Sequence, residues 1–127
     1  MCGILLNIGH ETIHEAHPAL EIISHRGPDG FGVENFDVDG LKIAIGHRRL
    51  SIIDLSESGR QPMSTASGNI WIIFNGEIYN YKELRKELEP DGFQFKSSSD
   101  TEVILASYEK WGAKCLDKLN GMFAFCI

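Results

Sequence analysis

The sequence predicts an α+β fold built on largely antiparallel sheet, and three observations carry that expectation. Strand-like runs adjoin one another as well as helices, so the regular βαβ alternation of a parallel sheet is missing. The run Ile70-Trp71-Ile72-Ile73-Phe74 is apolar enough for a central buried strand. A chain of 127 residues, 43% hydrophobic and 24% charged, suffices for one globular core.

Charge and cysteine usage exclude several classes. A formal net charge of −6 argues against nucleic acid or an anionic membrane as partner. The opening Ile4-Leu5-Leu6-Asn7-Ile8 has no basic lead and is too short for a signal peptide or a membrane span. Three widely spaced cysteines make no disulfide framework, so a cytoplasmic setting with reduced thiols is expected.

The elements follow in order. Residues 3–8 read as a short strand with Cys2 at its exposed start. His10-Glu11-Thr12-Ile13-His14 spells the helical zinc motif H-E-x-x-H. Its β-branched Thr12 and Ile13, and Pro18 beyond, suit a zinc helix poorly, so a solvated surface segment is expected and no metal. Pro18 opens the next helix, whose apolar face is Leu20, Ile22 and Ile23 and which stops near His25 before Gly27-Pro28. The turn His25–Gly30 is rigid and brings Arg26 toward the first strand.

Residues 41–45 alternate as a strand, and Gly46 breaks or bulges it. His47-Arg48-Arg49 then runs into apolar Leu50-Ser51-Ile52-Ile53. Three basic residues usually mean a solvated face. Here at least one is drawn toward a pocket, where an arginine fork suits a carboxylate. Leu55 to Gly68 reads as loop.

The central run ends at Asn75-Gly76. By turn chemistry this predicts a tight hairpin with Glu77-Ile78-Tyr79 returning. The alternative is that Asn75 and Gly76 offer amide donors to a ligand oxygen. Asn80 and Glu83 read as the cap of a helix over 81–89, and Phe93–Lys96 as a strand. Ser99 and Glu102 form a capping box for a helix that ends at Gly112. By itself Asp100 reads as favourable charge at that helix's N-terminus. Residues 122–127 read as a strand in which Cys126 is a buried thiol.

Cys2 gives these pieces a chemical centre. Once Met1 is trimmed, Cys2 carries a thiol and a free α-amine, whose ordinary pKa values near 8.5 and about 7.7–8.0 make one residue both attacker and base. Alone, a second-position cysteine is more often an accidental thiol. Six blocks in order change that weight. Met1-Cys2-Gly3-Ile4, the His25–Gly30 turn, His47–Asp54, Phe74–Asn80, Ser99-Asp100-Thr101-Glu102 and Asn120–Phe125 together resemble the class II, N-terminal-nucleophile glutamine amidotransferases. The resemblance is nearest to the glutaminase domains of glutamine-hydrolysing asparagine synthetases and spans essentially the whole chain.

The resemblance implies a four-layer αββα sandwich. It makes Cys2 the nucleophile on L-glutamine, through a thioester, with Asn75 and Gly76 as the oxyanion hole. It implies that Arg49 grips the substrate α-carboxylate, that Asp100 and Glu77 hold its α-ammonium, and that Leu50, Ser51, Ile52 and Ile53 line the pocket. It overrides the hairpin reading of Asn75 and the helix-charge reading of Asp100. No cofactor is implied for this domain. ATP and Mg are implied for a C-terminal synthetase domain that receives the ammonia. The family's domain runs on for several dozen residues beyond position 127, so residues 1–127 are expected to be its N-terminal part. A homodimer is left open. The competing expectations are the same hydrolysis serving another acceptor or a standalone amidohydrolase, an inactive glutamine-binding domain, and a zinc hydrolase using His10 and His14.

Overall fold

A computed structural model describes residues 1–9 and 16–127, and the H-E-x-x-H segment lies outside them. Strands β1 (Gly3–Gly9), β2 (Gly30–Val38) and β3 (Leu41–Arg49) form one antiparallel sheet in the order β1-β3-β2. Strands β4 (Met63–Ser64), β5 (Trp71–Ile78) and β6 (Gly121–Cys126) form a second, with β5 central. Helix α1 (Ala16–Ile22) covers the first sheet, and α2 (Tyr81–Leu88) with α3 (Asp100–Trp111) covers the second. The sheets meet through β1, β3 and β5, which completes four layers, αββα. Among the described residues no helix is long and apolar enough to cross a membrane.

The period-2 pattern of the strands sorts side chains between layers. On β3, Ala44 and Gly46 face α1, while Ile45, His47 and Arg49 turn toward the second sheet. On β5, Ile72, Phe74 and Ile78 pack with Leu84, Leu88, Val103 and Ile104 into the main core under α2 and α3.

Several expectations change. Gly46 does not break its strand: it pairs in register with Leu5 and Val33. Its lack of a side chain makes room for Leu20, which would lie 2.8 Å from an added Cβ. Strand β2, with two glycines and two acidic residues, carries little sequence signal and exists because β3 supplies its partner. Helix α1 already includes Ala16 and His17, so Pro18 lies inside it rather than opening it.

Asn75-Gly76 makes no hairpin. Strand β5 runs straight through it, pairing Asn75 with Ala124 and Gly76 with Phe123. The partner strand arrives from far along the chain, which turn propensity cannot register. Asn80 does not cap α2 with its side chain; it bridges instead to Lys118 O and Asn120 N, both at 2.9 Å. The capping box on α3 is half formed: Ser99 Oγ accepts from Thr101 N, but Glu102 reaches back to Lys96 N and Ser97 N. Residues 93–96 are not a strand, because Glu102 rather than another strand takes the backbone donor of Lys96, while Phe93 and Phe95 pack on the core. Cys126 is only half-buried; the buried thiol is Cys115.

Candidate active site

Cys2 stands at the head of β1, and the Gly3–Arg48 pairing sets it opposite Arg49. Paired residues share a sheet face, so both side chains enter the gap between the two sheets. There Cys2 Sγ receives a hydrogen bond from Leu50 N at 3.4 Å and lies 3.6 Å from Leu50 O. Arg26 Nε donates to the Cys2 carbonyl at 3.1 Å, so the rigid turn does bring Arg26 to the first strand. The same turn steadies the segment beyond Arg49, because Asp29 accepts from Ser51 N at 2.7 Å and its own N–H donates to Arg49 O.

The three basic residues separate by strand parity. Arg48 turns to the α1 side, where it pairs with Glu21 and donates to Leu20 O. His47 is fully buried between the sheets, with Nε2 3.2 Å from Phe74 O. Burial, reinforced by the Arg49 charge, lowers its pKa from 6.5 to about 4, so it is neutral at physiological pH. Arg49 enters the gap almost completely buried and donates to the Asp54 carbonyl.

Strand β5 supplies the opposite wall, and its hydrogen bonding shows which amides face the cavity. Tyr79 N bonds Asn120 O, so odd-numbered residues of β5 turn their main-chain groups toward β6. Even-numbered residues turn theirs the other way: Phe74 N goes to Gln61 Oε1 at 2.6 Å and Ile78 N to Asp100 Oδ2 at 3.0 Å. Gly76 lies between them, and its N–H points along the same open edge. Only glycine fits there, since a Cβ would meet Met122 O at 2.1 Å and φ is +155°. The side chain of Asn75 points at the sheet gap, with Oδ1 buried and, among the described residues, without a partner.

Asp100 opens α3 with a nearly fully buried carboxylate. Burial raises its pKa, opposed by the N–H groups of Ile78 and Thr101, and the nearby Glu77 pushes it the same way as burial. Asp54 joins the loops: its carboxylate accepts from Ser56 on one side and Ser98 on the other, which holds its pKa at about 2.

These groups enclose a cavity of about 180 Å³. All ten residues that the sequence nominates line it: Cys2, Arg49 to Ile53, Asn75 to Glu77, and Asp100. Sequence reasoning left out Met1, Asp54, Gly59, Phe74, Ser99, Thr101 and Met122, which also line it. Met1, Asp54, Phe74, Ser99, Thr101 and Met122 lie inside the six blocks, and that adjacency was the available signal. A larger concavity of about 740 Å³ between α3 and residues 91–96 contains none of the nominated residues. Among the described residues no three His, Cys, Asp or Glu side chains gather as a metal site.

Chemically, the cavity offers a thiol nucleophile, the Asn75 carboxamide and the Gly76 N–H, the Arg49 guanidinium, and the carboxylates of Glu77 and Asp100. That set complements a small zwitterion carrying a carbonyl.

The sequence matches the glutamine amidotransferase domain family over residues 1–127. It is 51% identical to asparagine synthetase [glutamine-hydrolyzing] 1 of Bacillus subtilis over 107 residues, 84% of this chain and 16% of that protein. It is 47% identical to asparagine synthetase [glutamine-hydrolyzing] 3 of the same organism, over all of this chain and 21% of that one. The chain thus spans about a fifth of the length of these relatives. The fold is similar to glutamine phosphoribosylpyrophosphate amidotransferase from B. subtilis, with a TM-score of 0.80 and 26% identity over 97% of this chain and 34% of that one.

Proposed function

This chain belongs to the glutamine amidotransferase domain family, and on that premise we propose that it hydrolyses L-glutamine to glutamate and ammonia at Cys2. The observation that carries the reading is the convergence of ten nominated residues, from four separate segments, on one small cavity.

The chemistry follows from the groups present. After removal of Met1, the α-amine of Cys2 takes the thiol proton, and the sulfur attacks the side-chain amide carbon of glutamine. The developing oxyanion accepts from the Asn75 side-chain N–H and from Gly76 N–H. Collapse breaks the C–N bond, the amine passes its proton to the leaving nitrogen, and ammonia departs. Water then cleaves the thioester, releasing glutamate and restoring the thiol. Arg49 holds the α-carboxylate. Asp100, with Glu77 beside it, holds the α-ammonium, whose charge offsets the burial of the carboxylate.

The ammonia is then used in ATP- and Mg-dependent synthesis of asparagine from aspartate by a C-terminal synthetase domain of the whole protein. The cavity does not fit that nucleotide: it is small, and its single guanidinium faces carboxylates that would repel a triphosphate. Residues 1–127 would then be the N-terminal part of the glutaminase domain.

The test is intact mass after incubation with 6-diazo-5-oxo-norleucine, an electrophilic glutamine mimic, followed by peptide mapping. One adduct on a Met-less Cys2 is expected. A processed, folded chain that takes up no label, or takes it up elsewhere, overturns the proposal.

A further inference from the structure

Gln61 belongs to none of the sequence blocks that nominate the site, yet it holds the site's wall. The β4–β5 register pairs Ser64 with Trp71 and Met63 with Ile72. Continued by two residue pairs, past Pro62 and Ile73, it sets Gln61 opposite Phe74, where a backbone carbonyl should meet Phe74 N. It does not, because the Gln61 carbonyl is turned against Gly32 of β2, 2.3 Å from where a Cβ would stand. The side chain takes over: Gln61 Oε1 accepts from Phe74 N at 2.6 Å. Its Nε2 donates to Thr101 Oγ1 at 3.1 Å. The side chain is buried, as is Thr101, so both ends of this amide are committed.

The substitution has a geometric result. A regular ladder would continue beside Asn75 and Gly76 and close the open edge of β5. Ending it with a side chain satisfies Phe74 N–H and leaves the next amide on that edge, Gly76 N–H, facing the cavity. The other end of Gln61 is anchored beside Asp100 on α3, so both walls are referred to one buried amide.

We propose that Gln61 is a positioning residue that fixes the oxyanion-binding strand by capping Phe74 N–H beyond the end of the β4–β5 ladder, one residue before Asn75. The inference rests on the glutaminase reading above. Gln61 touches no reacting atom. Its effect is on donors used mainly in the transition state, so turnover rather than binding should respond.

The experiment compares Gln61→Met, of similar length but without hydrogen bonds, with Gln61→Glu, which keeps an acceptor for Phe74 N and can accept from the Thr101 hydroxyl. Glutamine hydrolysis is measured beside inhibition by glutamate γ-semialdehyde. Cys2 sulfur adds to that aldehyde, forming a C–S bond, and the former carbonyl oxygen occupies the oxyanion position. For Gln61→Met, kcat should fall about 10- to 100-fold, with KM for glutamine within about threefold, because a misplaced donor costs less than a deleted one. Aldehyde affinity should fall in parallel with kcat, and Gln61→Glu should recover most of both.

A rise in KM at unchanged kcat overturns the inference. So does an equal loss in both variants, or loss of fold in both, which would make Gln61 structural only. A hydrolysing parent chain with an unaltered Gln61→Met overturns the inference alone. A parent that neither hydrolyses glutamine nor labels at Cys2 overturns the glutaminase reading and the inference with it.

Discussion

Acidification should destabilise this fold through His47. His47 is 1% exposed between the sheets, and its pKa falls from 6.5 to about 4. Below pH 6.5 an unfolded chain binds a proton at this residue that the native state refuses. Stability therefore falls with pH until native His47 itself titrates near 4. The gap of about 2.5 units corresponds to roughly 3 kcal/mol, of which about 2 kcal/mol is lost by pH 5. Other groups act differently. Burial raises Asp100, so its contribution weakens as pH rises, against the His47 trend. Asp54, held at about 2, loses its contribution only below that window. The comparison is His47→Gln, whose side-chain amide can still donate to Phe74 O while binding no proton. Urea unfolding at about pH 7.5 and about pH 5 should show the parent losing about 1 M more in midpoint than the variant, for a slope near 2 kcal/mol/M. Parallel losses in the two proteins would refute the buried, neutral histidine.

Three further outcomes are expected. Gly76→Ala should lower stability by about 1–3 kcal/mol in chemical denaturation, because its Cβ meets Met122 O at 2.1 Å; an unchanged midpoint would contradict the close approach of β6. Arg49→Lys should raise KM for glutamine at least about tenfold with kcat little changed, since a point charge cannot reproduce the bidentate fork; steady-state kinetics check it. Leu88→Ala, at a fully buried core position, should cost about 2–5 kcal/mol, read from the same urea transitions.

The sequence by itself determined the α+β class and most of the elements, and its resemblance to a known family nominated ten residues that line one cavity. Short-range physics accounts for the elements. The apolar run at Ile70–Phe74, the Ser99 cap and Gly112 after α3 act within a few residues, and the six blocks carry their chemistry in residue identity. What only the tertiary structure decided were matters of partner. Asn75-Gly76 has the local propensity of a hairpin, but pairing with β6, from more than forty residues on, keeps it extended. Asn80 and Glu102 have capping identities, yet each spends part or all of its hydrogen bonding elsewhere. The basic triplet 47–49 is uniform in charge but divides between layers, because strand parity and the neighbouring sheet set each environment. Gln61 carries no local signal of its role, since the register of β4 on β5, and the turning of its carbonyl toward β2, arise only when the sheets assemble. Local identity names the groups; long-range pairing decides which of them meet, because backbone hydrogen bonds can be completed only by the strand that arrives.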